Sequence, residues 1–324
     1  MKTNKYLLMG MLAASVLCSC SNEEEPAVDG VGKAISLSAG INDAVTRAVV
    51  SAANNEALDV TFARIDKPET TTKWNALNAV RTAGKDNTPI NFTPAQTYSG
   101  ASNTYMVGLY PQLKASVPTG NPATVSYTIT GDQDVMATKI QEGSAASPFE
   151  AFTFNHLLTQ LQFKCVGSTE AKTAWGSIKS IKVKQVPTKL DLTLDKEQLE
   201  AIPALSVNDA PATADLSVLS CPKAIVTPDD EEVAPGYLML YPVAKMGGTV
   251  DDAITLEILT TYDGDGSSKM DSPREIKIDN IDGGVKAGYS HLITLTFSQT
   301  GEITFEAGIA EWLPGNGGSS TVKP

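Results

Sequence analysis

Phe154-Asn155-His156-Leu157-Leu158-Thr159-Gln160-Leu161-Gln162-Phe163 is answered further along the chain by Tyr289-Ser290-His291-Leu292-Ile293-Thr294-Leu295-Thr296-Phe297. Each stretch sets an aromatic residue two places before a histidine and closes on phenylalanine. A second echo lies upstream: Tyr105-Met106-Val107-Gly108-Leu109-Tyr110-Pro111 matches Tyr237-Leu238-Met239-Leu240-Tyr241-Pro242. The offsets are 135 residues from His156 to His291 and 131 from Pro111 to Pro242. Two offsets so close describe two copies of one plan. The first copy is expected over residues 48–168 and the second over 169–324, joined near Lys172–Gly176. Both histidines fall at matching places, which reads as a structural post capping a strand end rather than as a catalytic base.

Around these echoes the pattern is alternation, not helical periodicity. Strand-like runs cover Leu58–Ile65, Pro89–Phe92, Thr104–Tyr110, Ala123–Thr130, Phe152–Val166, Ile178–Val186 and Lys189–Leu194. They continue at Gly236–Val243, Ile254–Thr261, Arg274–Ile278, His291–Ser298 and Glu302–Trp312. Turn formers such as Pro118-Thr119-Gly120-Asn121-Pro122 and Asp282-Gly283-Gly284 separate them. Many short strands between Gly, Pro and Asp turns predict an all-β chain built of β-sandwiches. Helix is expected only at Asp195–Ala201 and Asp134–Gln141.

The chain has 324 residues, enough for two domains. Its 42% hydrophobic and 19% charged content fits a globular chain with sizeable cores. A formal charge of −12, from 37 acidic and 25 basic residues, argues against nucleic acid as a partner. Two histidines and no Cys/His cluster leave no zinc site in view, and no cofactor motif is present. A Gly-x-Ser-x-Gly elbow, a Walker-type loop and a His-Glu-x-x-His helix are all missing from the sequence, so the chain does not read as an enzyme. Asp263-Gly264-Asp265-Gly266-Ser267-Ser268 resembles the start of a calcium loop but lacks the later Gly and Glu, and reads as a hairpin turn.

Residues 1–19 form a signal peptide: Lys2 and Lys5 give the positive n-region, and Tyr6 to Leu17 the short apolar h-region. Leu17-Cys18-Ser19-Cys20 resembles a bacterial lipobox, with Cys20 as the cysteine to be acylated. No other segment reaches the roughly 18 apolar residues that span a bilayer. Lipid on Cys20 would therefore be the membrane attachment. Once the signal is removed, Cys165 and Cys221 remain. An exported compartment permits a disulfide between them, and two buried free thiols are the other reading. The acidic run Ser21-Asn22-Glu23-Glu24-Glu25 directly behind Cys20 resembles the export signal of surface lipoproteins in the Bacteroidetes.

Residues 20–47 form a leader with a strand of its own. Ile35-Ser36-Leu37-Ser38-Ala39-Gly40-Ile41 puts Ile35, Leu37, Ala39 and Ile41 on one face. Near the other end Ile303-Thr304-Phe305-Glu306-Ala307-Gly308-Ile309 repeats the pattern with Ile303, Phe305, Ala307 and Ile309. Both would fit a groove with large, large, small and large pockets, so the first strand reads as removable and the second as its replacement. Only four arginines occur: Arg47, Arg64, Arg81 and Arg274. Arg64 sits in a strand, whereas Arg47, followed by Ala48, sits in a short link that a protease can reach.

The lipobox with its acidic run, Thr46-Arg47-Ala48, the Phe-x-His-Leu strand and the Ile-x-Phe-x-Ala-Gly-Ile-x-x-Trp312 terminus together resemble the fimbrillins of the Bacteroidales, subunits of the type V pilus. The resemblance covers most of the chain. It implies two tandem transthyretin-like β-sandwich domains and export as an outer-membrane lipoprotein carrying palmitate. It further implies a cut after an arginine by a trypsin-like protease, then polymerisation into a fimbrium by donor-strand exchange with other pilus subunits. Carried onto this sequence, lipidation falls on Cys20, maturation on Arg47 and Ala48, and the donor segment on roughly Glu302–Trp312. A stalk subunit is the expectation. The alternative is a surface lipoprotein of the same export route that binds glycans or host ligands without polymerising.

Overall fold

In the computed structural model the described residues are 32–42, 57–67, 73–84, 86–100, 102–114, 116–117, 120–227 and 234–310. Alternation becomes strand nearly everywhere it was read. The first ten strands are β1 (Leu37–Ile41), β2 (Leu58–Asp66), β3 (Asn75–Arg81), β4 (Thr88–Phe92), β5 (Thr104–Tyr110), β6 (Ala123–Thr128), β7 (Met136–Ala137), β8 (Gln141–Gly143), β9 (Phe152–His156) and β10 (Thr159–Gly167). After a short helix α1 (Thr169–Trp175) come β11 (Ile178–Pro187), β12 (Lys189–Leu194), β13 (Leu205–Val207), β14 (Thr213–Ser217) and β15 (Gly236–Leu240). The last are β16 (Ile254–Thr260), β17 (Arg274–Ile278), β18 (Ser290–Phe297) and β19 (Ile303–Ile309).

The first sheet closes on itself. Its order is β2-β3-β4-β1-β9-β7-β5, and β2 pairs back with β5 from Thr61↔Leu109 to Asp66↔Thr104. Seven strands thus make a barrel, with β8 continuing along β5 beside β7. Alternate residues point inward and fill it: Val60 and Phe62 from β2, Ala79 from β3, Ile90 from β4, Phe152 and Phe154 from β9. Phe62 is the hub, edge-to-face with Phe92, Phe152 and Phe154 at centroid separations of 5.6, 5.2 and 6.2 Å. The opposite face of β2, Ala63 and Ile65, packs outward into a second, larger core. That is why β2 is buried along most of its length instead of on one side.

The larger core lies between a sheet β15-β10-β18-β19 and a sheet β14-β11-β16-β17. β10 and β18 run parallel from Gln160↔Ser290 to Gly167↔Phe297 and give Leu161, Phe163, Ile293 and Leu295 to it. A third sheet, β13-β12-β6, pairs β6 of the first half with β12 of the second, from Ala123↔Leu194 to Thr128↔Lys189. The architecture is mostly β: a closed barrel plus several further sheets.

Two local expectations differ from what forms. The run Phe152–Val166 is not one strand; it breaks at Leu157–Leu158, β9 staying in the barrel and β10 joining β15 and β18. Leu158 is fully buried at the break, so the chain turns on an apolar anchor instead of a Gly or Pro signal. Helix forms neither at Asp195–Ala201 nor at Asp134–Gln141 but at α1, the expected connection. Ser168 caps it by accepting the Ala171 N–H at 3.2 Å, and Gly176, at φ 68°, ends it.

The two histidines also part company. His156 ends β9 and its Nδ1 meets the Asp134 carboxylate, the strand-end post that was expected. His291 lies second in β18, and its buried Nε2 has no hydrogen-bond partner among the described residues. Burial, with Lys286 nearby adding to it, holds the His291 imidazole below its ordinary 6.5. The unfolded chain therefore binds this proton more readily. Stability is retained above about pH 6.5 and is lost as pH falls from there through the folded value. In urea unfolding, His291→Leu is expected to lose less stability between pH 7.5 and pH 5 than the wild type.

Candidate functional site

β1 is a stave of the barrel, and its residues explain why it sits there. Leu37 and Ala39 face inward with Ile35, all three buried among Phe62, Ile90, Phe152 and Phe154. One edge of β1 pairs antiparallel with β4, Leu37↔Ile90 and Ala39↔Thr88. The other pairs parallel with β9, Ala39↔Phe152 and Ile41↔Phe154. The residues before and after it are held too. Ile35 N donates to Gln96 O at 2.8 Å, Tyr98 N to Lys33 O at 2.9 Å and Asn42 N to Phe154 O at 2.7 Å. Lys33 Nζ donates to Ala145 O, and Asn42 Nδ2 to Asn155 Oδ1 at 2.9 Å. Ile41, half-buried, packs at the margin of the same core.

The groove that holds β1 includes two residues that sequence reading passed over. Arg81, at the end of β3, is fully buried and sends its guanidinium past β4 to β1: Nε donates to Ala39 O at 3.0 Å. Nη2 donates to Gly84 O at 2.8 Å and to Asp86 O at 3.0 Å, tying down the β3–β4 connection. Burial lowers this guanidinium's pKa from its ordinary value. Its signal in the sequence was an arginine ending the otherwise uncharged run Asn75–Val80. Asn87 stands over Gly40, where an added Cβ would lie 2.7 Å from its Oδ1, so any larger residue there makes Asn87 turn away.

The second predicted strand lies elsewhere. β19 is the edge of the β15-β10-β18-β19 sheet, antiparallel to β18 from His291↔Ile309 to Phe297↔Ile303. Ile303, Phe305 and Ala307 are half-buried against the larger core. Ile309 is 56% exposed, and a Cβ on Gly308 would touch nothing within 4 Å. β1 and β19 are thus in different sheets. Cys20, Arg47, Ala48 and Trp312 lie outside the described residues.

The remaining predicted residues carry no visible chemistry. Cys165 and Cys221 are free thiols, and burial, with Cys221 nearby adding to it, pushes the Cys165 thiol well up from its ordinary value. Asp265 Oδ1 accepts the N–H groups of Ser267 and Ser268, both at 2.8 Å. These contacts, with the Ser268 side chain foremost, hold its carboxyl at about 2 and spend it on its own turn. Among the described residues no group of three or more His, Cys, Asp or Glu side chains is placed to hold a metal. None of the described helices is long and apolar enough to cross a membrane.

A closed barrel whose first described strand is one of its staves, and a matching strand on an open edge, give the protein an architecture organised around strand pairing. A profile of the family described as fimbrillin-like matches residues 46–312, and the chain belongs to that family. The fold is similar to that of a candidate cell adhesion protein of Bacteroides uniformis, at 15% identity and a TM-score of 0.58, covering 86% of this chain and 99% of that one. Candidate cell adhesion proteins of Parabacteroides distasonis (10% identity, TM-score 0.52) and Bacteroides ovatus (16%, 0.51) are also similar, each covering 87% of this chain and 98% of the other. No curated protein matches the chain in sequence.

Proposed function

We propose that the protein is a subunit of a surface fimbrium that assembles by exchanging β1 for the β19 of another subunit. The observation that carries this reading is the place of β1: it fills a two-sided gap in a closed barrel, yet it joins the body only through the link to β2. One cut between residues 42 and 57 would separate it from β2 without cutting any other described strand. Arg47 offers the cut, with a trypsin-like protease as partner. The three remaining arginines lie in β2, β3 and β17, where pairing shields them.

β19 suits the role of replacement. Gly308 and the exposed Ile309 serve no packing need at home, whereas the matching Gly40 and Ile41 face Asn87 and Phe154 in the groove. Leu37 corresponds to Phe305, which would enter a site already lined by aromatic rings. An incoming strand of this kind adds by β-augmentation, main-chain bonds giving affinity and alternate side chains giving specificity.

Around this core the reading extends to the remaining features. The precursor is exported as a lipoprotein, acylated on Cys20 and held at the outer membrane, then released to the extracellular fimbrium with Ala48 as its first residue. The chain is organised as two tandem transthyretin-like β-sandwich domains, residues 48–168 and 169–324, and serves in the stalk. N-terminal sequencing of protein taken from the cell surface tests the scheme. Ala48 at the N-terminus of polymeric material is the expected result. A monomer that keeps an acylated Cys20 would instead favour a lipoprotein that binds ligands without polymerising.

A further inference from the structure

The groove does more than offer apolar pockets. Arg81 is a permanent cation, fully buried, and its contact to β1 goes to a main-chain carbonyl. A main-chain acceptor carries no side-chain identity, so any strand lying in the same register presents it. The residue that supplies it, Ala39, is fully buried between Thr88 of β4 and Phe152 of β9. Successive carbonyls of a strand point to opposite edges. A strand slipped by one residue would turn this carbonyl away from Arg81 and move its large side chains out of the barrel. With β1 gone and nothing in its place, a buried charge loses the Ala39 carbonyl from its set of acceptors, which is costly.

Resting on the strand-exchange reading, we infer that Arg81 sets the register of whatever strand fills the groove, and that the partner it admits is an extended segment with alanine over the guanidinium and glycine next under Asn87. In β19 of a second copy that places the Ala307 carbonyl on Arg81 Nε and Gly308 beneath Asn87. The vacated groove therefore favours refilling by main chain over collapse, and it favours one alignment over its neighbours.

The test uses the full chain, cut after Arg47 by an arginine-specific protease, and a labelled peptide of residues 302–310. A second peptide carries a thioamide in place of the Ala307 carbonyl, since sulfur is the weaker acceptor. The wild type is expected to bind the thioamide peptide about 10-fold or more weakly, in the range of a hydrogen bond to a charged group. In Arg81→Met the two peptides are expected to bind alike, and in Arg81→Lys part of the difference should return. A merely structural Arg81 would weaken both peptides equally and leave their ratio unchanged. No thioamide effect in the wild type, or an equal effect in wild type and variants, overturns the role of Arg81 while leaving exchange standing. Failure of both peptides to bind the cut wild type overturns exchange itself, and this inference with it.

Discussion

Replacing Arg47 by alanine is expected to stop assembly at the monomer. The reason is concentration, not contact. Residues 35–41 and 303–309 offer the groove nearly the same groups: two large apolar side chains, an alanine and an isoleucine in alternation, with a glycine just before the last. Neither strand has a decisive advantage in what it buries. A strand tethered through a short link, however, competes at an effective concentration of about millimolar. A donor strand on a separate subunit at about micromolar concentration then faces a disadvantage of roughly a thousandfold. Cutting the link abolishes it and lets dissociated β1 diffuse away. Arg47→Ala should therefore accumulate an acylated, uncut precursor with β1 in the barrel wall, monomeric by analytical ultracentrifugation and free of filaments by electron microscopy. Reintroducing a different protease site in the same link, followed by cleavage, should restore filaments. Normal polymers from the uncut variant would overturn the model.

The place of β1 was only half legible beforehand. Ile35, Leu37, Ala39 and Ile41 announced a one-sided strand by alternation, and that strand forms. That it would be flanked by β4 on one side and β9 on the other was not visible. Pairing partners 49 and more residues apart leave no mark on local periodicity. β5, β12 and β17 form with the bounds read from alternation, because each has a single clear buried face or a continuous apolar run. β3 went unread. Asn75-Ala76-Leu77-Asn78-Ala79-Val80-Arg81 has few β-branched residues, and it is a strand because β2 and β4 pair with it on both sides. Arg81 was lost with it, since its one mark, an arginine ending an uncharged run, does not by itself separate a buried guanidinium from a solvated one.

The internal echo was informative in a different way. It located the two aromatic, Tyr-Pro-ended strands, β5 and β15, and the histidine-bearing strands β9 and β18. It did not reveal that the chain crosses between bodies, with β10 pairing β15 and β18 and β6 pairing β12. These contacts link the barrel to the C-terminal sheets through one continuous core that takes in Val107, Tyr127, Leu161 and Leu190. A donor strand drawn away from the edge of the β15-β10-β18-β19 sheet would leave that core largely covered. Ile303, Phe305 and Ala307 only flank it and are half-exposed already. The cost of lending β19 falls on an edge, whereas the cost of losing β1 falls on a closed ring. The asymmetry makes one strand suited to be given and the other site in need of filling.

From that asymmetry comes the second large effect. Ile309→Asp should leave the monomer's unfolding free energy within about 0.5 kcal/mol of wild type, because the side chain is mostly exposed and paired only through its backbone with His291. In a neighbour's groove, under the proposed exchange, the same residue would take the place of Ile41, which pairs with Phe154 at the edge of an apolar core. There a carboxylate must be desolvated without a partner, and assembly is expected to fall by about 10- to 100-fold. Phe305→Asp goes further, since its counterpart Leu37 is buried inside the barrel. At home it loses a half-buried ring, about 1–2 kcal/mol. In the groove it places a charge among Phe62, Phe152 and Ile90, and the double variant should form no filaments at all. Mixing decides between a lost donor and a general defect. The double variant, cut after Arg47, keeps an intact groove and should still accept a wild-type donor, capping filaments at one end and shortening them as its share rises. Filaments of unchanged length in such mixtures would show that Ile303–Ile309 is not the strand that is given.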